Sequence, residues 1–372
     1  MKASIVVTSY NYGRFLAQAI ESALAQTHSE TEVIVVDDGS TDGSRRVIDA
    51  FGKRIMSVLK ENAGQASAFN AGFAASSGEI VLFLDSDDVL LPTAIEQAAE
   101  RVRPNDVVKA HWPLWEIDER GDRTGQIVPS NRVRGGLLVD ELVERGLTEY
   151  DWPPTSGNAW ARSLLDELLP MPEAEYRTCP DIYLGALARL YGRIEVIAEP
   201  QSLYRVHGRN NVNTISYEEE RRRLDHVYEA LNARLRERGV RVDVESWRAD
   251  SWVHRLHRAE HELLAAVAPG SRIVVIDGDK LRGEFEHHWR TIPFLGRNDE
   301  YWGPPADDEH AIDEFRRLRS SGASHLVVGW PAFWWLDYYT DFAAWLRECF
   351  SCVLENDRLV VFDLRSHSGG VR

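Results

Sequence analysis

The chain lacks three features that would assign it to common classes of protein. Its longest apolar runs fall far short of the roughly 20 residues that cross a bilayer, so we expect no integral membrane segment. It has only 3 cysteines among 372 residues, too few for a disulfide framework, which favours a reducing, cytoplasmic location. Lys and Arg number 43 against 59 Asp and Glu, and the net charge of -16 disfavours nucleic acid and anionic lipid as partners.

What the chain does have is enough apolar material for a large core. Apolar residues make up 44% of it, and its length allows two domains. Residues 1–110 alternate strand and helix patterns, which predicts an α/β fold with a mostly parallel sheet flanked by helices. We predict an N-terminal domain over 1–215, a helical linker over 216–268, a second small α/β domain over 269–365 and a tail over 366–372.

Three of the four strands predicted over residues 1–90 are short buried runs that are each followed by a polar loop; the other is predicted at residues 55–59. These runs are residues 4–8, 33–36 and 80–84, and they are followed by the loops 9–13, 37–43 and 85–88. Because the carboxyl ends of parallel strands meet at one edge of a sheet, we expect these loops to lie close together, where open α/β sheets bind their ligands.

An acidic turn, Asp85, Asp87 and Asp88, directly follows the strand predicted at 80–84. Carboxylates so close repel one another unless a cation or a proton lies between them. A hard divalent ion such as Mg²⁺ or Mn²⁺ prefers oxygen ligands and keeps coordination sites for substrate phosphates. The turn therefore predicts a metal–phosphate site at the edge of the sheet, and the alternative is a solvated acidic turn.

Four segments, in order, resemble the inverting glycosyltransferases of family 2, which have the A-type nucleotide-diphospho-sugar transferase fold. They are VTSYN at 7–11, VVDDGSTD at 35–42, NAGQASAFNAG at 62–72 and the DSDD turn at 85–88, which holds a DXD motif. The resemblance covers about residues 1–215 and implies a glycosyltransferase catalytic domain there. The domain over 269–365 is similar to an accessory module of some bacterial glycosyltransferases.

For the donor side of the site, the resemblance implies a metal ion and a nucleoside-diphosphate sugar. Mn²⁺ or Mg²⁺ would be held by Asp87, Asp88 and His207. The donor, with a UDP-sugar favoured, would contact Thr8, Tyr10, Asp38, Asn62, Gly64, Gln65, Asp85, Ser86 and Arg205. In this arrangement Asp38 can accept a hydrogen bond from the base, and Tyr10 can stack against it.

Inverting transfer also needs a general base that deprotonates the acceptor hydroxyl. The resemblance places an acidic residue at the start of a helix beyond the acidic turn, where this chain has Asp181 after Pro180; Glu173 and Glu175 match less well. The alternative for Asp181 is a carboxylate that merely favours the helix N-terminus. The acceptor is expected to face a loop through Trp152, Ser156, Gly157, Asn158 and Trp160.

The sequence therefore predicts a metal-dependent inverting glycosyltransferase, hexosyltransferase-like, of bacterial glycan or polysaccharide biosynthesis. We expect it in the cytoplasm, and a peripheral position at the inner membrane is compatible with this. The acceptor can be a saccharide, a lipid-linked saccharide or a peptide, and the linker or the accessory module offers a surface for a homo-oligomer. Two alternatives stay open: a sugar nucleotidyltransferase, which usually has a Gly-rich loop after the first strand, and a non-catalytic protein that binds nucleotide sugars.

Overall fold

The chain forms two compact units, Met1–Asp250 and Ser251–Arg372. The computed structural model describes residues 1–103, 106–131, 133–147, 153–208, 210, 216–297, 300–301 and 303–367. Each unit has its own sheet, so the predicted fold class, a mostly parallel α/β sheet flanked by helices with a second small α/β domain, is confirmed. No helix within the described ranges combines the length and the apolar character that crossing a membrane requires.

The first unit is built on a seven-stranded sheet in the order β10-β6-β9-β4-β1-β2-β3, with a smaller sheet in the order β5-β11-β7-β8. Among the described residues of the large sheet, only those of β9 run antiparallel to their neighbours. The strands are β1 (Ala3–Ser9), β2 (Thr31–Asp38), β3 (Met56–Lys60), β4 (Ile80–Asp85), β5 (Val89–Leu90), β6 (Val107–His111), β7 (Leu114–Ile117), β8 (Arg123–Val128), β9 (Asn158–Ala161), β10 (Arg193–Val196) and β11 (Ser202–Arg205).

Helices cover the large sheet because each presents one apolar face to it. In the first of them, Leu16, Ala19, Ile20 and Ala23 recur at helical spacing and are fully or almost fully buried. The helices of this unit are α1 (Gly13–Leu24), α2 (Ser44–Phe51), α3 (Gln65–Ala75), α4 (Ala94–Ala99), α5 (Val139–Arg145), α6 (Arg162–Leu168), α7 (Asp181–Ala188), α8 (Tyr217–Glu237) and α9 (Val244–Asp250), with a 3-10 turn at Thr155–Gly157.

The second unit has a five-stranded sheet in the order β13-β12-β16-β18-β17 around an aromatic core that includes Phe294, Phe315, Trp335 and Phe342. Its strands are β12 (Arg272–Ile276), β13 (Arg290–Pro293), β14 (Gly296–Arg297), β15 (Glu300–Tyr301), β16 (His325–Gly329), β17 (Phe350–Glu355) and β18 (Leu359–His367). Its helices are α10 (Trp252–Ala266), α11 (Arg282–Phe285), α12 (Asp308–Ser320), α13 (Trp334–Tyr338) and α14 (Thr340–Cys349). The segment predicted as a linker is thus divided, with α8 and α9 in the first unit and α10 in the second.

Candidate active site

A cavity of about 650 Å³ lies at the carboxyl edge of β1, β2 and β4. The parallel register explains why side chains meet there, since Thr8 pairs with Val36 on one side and with Asp85 on the other. The residues predicted from sequence that line this cavity are Thr8, Tyr10, Asp38, Asn62, Gly64, Gln65, Asp85, Ser86, Asp87 and Asp181. Both the strand ends and the start of α7 therefore contribute to one site.

The acidic turn sends its carboxyl groups in different directions. Asp85 and Asp87 line the cavity, whereas Asp88 is 1% exposed and its Oδ1 accepts a hydrogen bond from the Arg205 backbone N–H at 3.0 Å. Burial and the neighbouring Asp87 raise the pKa of Asp85 to about 8, and the same two causes raise the pKa of Asp88. Without a cation, the turn thus favours proton uptake over a cluster of charges.

His207 is held directly against Asp87. Its Nε2 lies 3.0 Å from Asp87 Oδ2, and its fully buried ring packs between Tyr12 and Phe15 at centroid distances of 5.4 and 5.2 Å. Within the part of the chain that the structure describes, no group of three or more His, Cys, Asp or Glu side chains is arranged to hold a metal ion. The predicted trio is therefore not assembled: Asp87 and His207 lie together, and Asp88 is turned toward Arg205.

Arg205 lies under the acidic turn and does not line the cavity. The side chain is 1% exposed, and its guanidinium donates to the carbonyl of Asp87 at 2.8 Å and to Gln18 Oε1 at 2.7 Å. It also donates to the carbonyls of Asp118 and Glu119 at 3.2 and 3.3 Å. Arg205, which was predicted to contact the glycosyl donor, thus holds the acidic turn in place.

Asp38 is likewise surrounded by groups of the protein. Its carboxylate accepts hydrogen bonds from Lys60 Nζ at 2.5 Å, from Asn62 Nδ2 at 3.1 Å and from the backbone N–H groups of Ala63 and Gly64 at 3.1 and 2.8 Å. These four donors match the four lone pairs that a carboxylate offers. Asp38 therefore fixes the loop that leads into α3.

The loop before Asp181 docks onto the first turn of α3. The Gln65 N–H donates to the Arg177 carbonyl at 2.8 Å, and Gln65 Oε1 accepts from the Cys179 N–H at 3.1 Å. The amide Nε2 of Gln65 also donates to Asp85 Oδ1 at 2.8 Å, so one side chain ties the acidic turn to the loop. Gly64 allows this approach, because a Cβ there would lie 2.8 Å from Arg177 Cα and its φ is +100°.

Asp181 is the first residue of α7 and faces the cavity. Burial raises the pKa of its carboxyl to about 6, against the opposing effect of the nearby Lys109 and Arg223 cations. A carboxyl with this pKa is largely ionised at neutral pH and can still accept a proton, which is the property of a general base.

Most of the residues predicted to face the acceptor lie beneath the cavity. Ser156 Oγ accepts from the Asp85 N–H at 3.1 Å, Gly157 is buried, and Asn158 donates to the Pro154 carbonyl at 2.7 Å. Trp160, on β9, is 2% exposed and lies under Lys109 Nζ, 4.6 Å from its ring centroid. None of these four lines the cavity, and Trp152 lies outside the described residues.

Comparison with known proteins identifies the family of the N-terminal part of the chain. Residues 4–150 match the family described as Glycosyl transferase family 2. They are a family 2 glycosyltransferase domain. An uncharacterized glycosyltransferase of Nostoc sp. is 39% identical over 218 residues, which cover 57% of this chain and 66% of that protein. The glycosyltransferase GlyG of Streptococcus pneumoniae is 39% identical over 120 residues, 31% of this chain and 40% of that protein. The chain thus spans less than two thirds of either relative.

Solved glycosyltransferases resemble the chain at low sequence identity. Staphylococcus aureus TarS in complex with UDP-GlcNAc has a TM-score of 0.48 and 20% identity, with 70% of this chain and 82% of that chain covered. A mannosyltransferase of Pyrobaculum calidifontis in complex with GDP-Man and Mn²⁺ has a TM-score of 0.46 and 16% identity, with 72% and 76% covered. The glucosyl-3-phosphoglycerate synthase of Mycobacterium tuberculosis with Mn²⁺, UDP and phosphoglyceric acid has a TM-score of 0.41 and 21% identity, with 59% and 75% covered.

Part of the cavity wall is formed by residues that follow the matched range 4–150 and that were not predicted from the sequence. It comprises Arg177, Thr178, Tyr204, Asn210, Glu220 and Arg223. Asn210 closes the turn that carries His207, because its Oδ1 accepts from the His207 N–H at 2.7 Å. Nearness to His207 in sequence was a signal for Tyr204 and Asn210. No feature of the sequence pointed to Glu220 and Arg223, because a charged helix is typical of a solvated linker.

Proposed function

We propose that this protein transfers a glycosyl group from a nucleoside-diphosphate sugar to an acceptor hydroxyl, with inversion, in bacterial glycan or glycoconjugate synthesis. UDP-sugars are the donor class to be tested first. The observation that carries the proposal is one cavity, in a chain with a family 2 domain, lined by both the acidic turn and Asp181. A base at one side of a leaving-group site is what a single inverting displacement requires.

At the donor end, we assign the nucleoside to the edge formed by β1 and β2. Tyr10 is 46% exposed beside the cavity, so its ring is available to stack on a base. Thr8, near the end of β1, lines the same cavity. Because four protein groups already donate hydrogen bonds to the Asp38 carboxylate, we assign Asp38 a positioning role.

The residues present fit a divalent metal ion at Asp87 and His207. The carboxylate suits Mn²⁺ or Mg²⁺, which commonly take one or two protein ligands and complete their shell with water and substrate phosphates, and the imidazole would be a softer additional ligand. Asp88 Oδ2 is buried and has no hydrogen-bond partner among the described residues, which makes it the next candidate oxygen. When bound, such an ion acts as a Lewis acid that neutralises the diphosphate leaving group.

The proposed role of Asp181 is to accept the acceptor's proton. As the hydroxyl oxygen forms its bond to the anomeric carbon, the bond from that carbon to the diphosphate oxygen breaks and the proton moves to the Asp181 carboxylate. Gln65 is then a positioning residue, because it joins Asp85 to the backbone at Cys179, two residues before the base.

The test is release of UDP from a panel of UDP-sugars in the presence of Mn²⁺ and a mixture of glycan acceptors. We expect Asp181→Asn to lower transfer by about 100-fold or more, the usual weight of a general base, with UDP affinity unchanged. Asp166→Asn is the matched control, since Asp166 is exposed on α6. Near-normal transfer by Asp181→Asn would remove it from the mechanism, and release of pyrophosphate from UTP and a sugar phosphate would favour a nucleotidyltransferase.

A further inference from the structure

We infer that Arg223 forms a subsite for an anionic group, a phosphate or a carboxylate, that the acceptor carries near its reacting hydroxyl. The inference rests on the proposed function, because it assigns the part of the same cavity that adjoins Asp181. Arg223 belongs to α8, outside the range that matches the family, and it lines the cavity together with Glu220 of the same helix. The subsite therefore lies on a helix that the matched family range does not include.

The Arg223 guanidinium is buried near the carboxyls of Asp181 and Glu220 but makes no close ion pair with either. The residue is 9% exposed, and its Nη2 donates to Thr178 Oγ1 at 3.0 Å. Among the residues that the structure describes, Arg223 forms no ion pair. A guanidinium has five N–H donors in a fork that fits carboxylate and phosphate oxygens, and the bond to Thr178 uses only one of them. A bound oxyanion would accept hydrogen bonds from the other donors.

The location assigns this oxyanion to the acceptor and not to the donor. Thr178, which holds Arg223, lies three residues before Asp181, whereas Asp87 and His207 lie together at the proposed diphosphate end. An anion brought next to the Asp181 and Glu220 carboxylates would be repelled by both. Arg223 is the cation that offsets this repulsion.

A competing explanation is that Arg223 serves only as a counter-charge for its neighbours. The guanidinium does lower the pKa of Asp181 and of Glu220 against the effect of burial. In that case its removal would change the pH dependence of transfer, whereas loss of an anion subsite would weaken binding of an anionic ligand at every pH where the ligand is ionised. The two explanations are therefore separable by binding measurements at two pH values.

The experiment is calorimetric titration of the full-length protein, saturated with UDP and Mn²⁺, with three probes of similar size: glycerol 3-phosphate, glycerate and glycerol. We expect one of the two anions to bind and glycerol not to bind. Arg223→Gln should weaken anion binding about 10- to 100-fold, as expected for charge-assisted hydrogen bonds. Arg222→Gln, the same charge change at an exposed position of α8, should leave it unchanged. Arg223→Lys should give an intermediate loss, because it keeps the charge and loses the fork.

The outcomes separate this inference from the proposed function. If UDP binds normally to the wild type but neither anion binds, the inference is wrong and the proposed function stands. The same holds if an anion binds with equal affinity to Arg223→Gln and to Arg222→Gln. If Arg223→Gln weakens UDP as much as the anion, the guanidinium serves the donor and the inference is also wrong. If the wild type binds no UDP, the proposed function itself fails.

Discussion

Replacement of Asp181 by Asn is expected to stabilise the folded protein while it lowers transfer by about 100-fold or more. Burial holds the pKa of this carboxyl at about 6, above its ordinary value of 3.8. Between these pH values the folded state keeps a proton that the unfolded state has released, so stability falls as the pH rises. The difference of about two pH units corresponds to about 3 kcal/mol lost at pH 8, an upper value because the carboxyl borders the cavity.

The signature of this effect is its pH dependence. At pH 4.5 the unfolded carboxyl is already largely ionised, but the pH lies less than one unit above its ordinary pKa of 3.8, so the loss is about 1 kcal/mol there. Because Asn carries no charge at any pH, the advantage of Asp181→Asn over the wild type should grow by about 2 kcal/mol between pH 4.5 and pH 8. A stabilised but inactive variant would match the common trade-off between stability and function at active sites.

The assay is urea unfolding of the full-length chain at both pH values, with EDTA present so that no metal ion alters the charges. Asp166→Asn is the control and should show no pH-dependent difference, since Asp166 is exposed. If the advantage of Asp181→Asn is the same at pH 4.5 and pH 8, or is reversed, the carboxyl does not have a raised pKa and the argument for Asp181 as a base loses its electrostatic support.

Three further predictions follow from the geometry. Transfer, measured as kcat/KM, should rise about tenfold from pH 5 to pH 7 with a midpoint near 6, because Asp181 must be ionised to accept a proton; a flat profile would contradict this role. Gly64→Ala should cost about 1–3 kcal/mol in urea unfolding and lower transfer at least about tenfold, because its Cβ meets Arg177 and φ is positive. Arg205→Met should cost about 3–5 kcal/mol and weaken UDP binding, because it leaves the carbonyls under the acidic turn without their buried donor.

The last two predictions have built-in controls. Gly43→Ala is matched to Gly64→Ala, since nothing lies within 4 Å of a Cβ at Gly43, and equal effects of the two would refute the proposed close approach. For Arg205, weaker UDP binding with unchanged stability would instead support the sequence-based prediction of a direct phosphate contact.

The strands that carry the site were predictable because each is a buried apolar run that ends in polar residues. Residues 80–84 were predicted as a strand, and β4 spans Ile80–Asp85. The Ala-rich pattern of residues 65–75 likewise favours a helix, and α3 spans these residues. The pattern of residues 107–117 favours one continuous strand, but the structure has β6 and β7, separated at Trp112 and Pro113, because proline cannot donate to a sheet.

The remaining features depend on contacts between distant residues, which local patterns do not encode. The short strand β9 follows a stretch of sequence rich in Trp, Pro and Gly. Its pairing with β4 buries Trp160, which was predicted to face the acceptor. Arg205 has the sequence context of a ligand contact, yet its donors bond to Gln18 and to backbone carbonyls. Arg223 was hidden in a charged helix, because only the folding of α8 beside the 176–181 loop brings it to the cavity.

The central claim is that the cavity at the edge of β1, β2 and β4 binds the nucleoside diphosphate of a glycosyl donor together with a metal ion. Calorimetric titration of the purified protein with UDP, GDP and dTDP, with and without Mn²⁺, tests it most directly. We predict that one of the three binds tightly, that it does so only with Mn²⁺, and that Asp87→Asn loses this binding. Absence of binding by all three, with or without Mn²⁺, would contradict the account and favour a protein without glycosyl-donor chemistry.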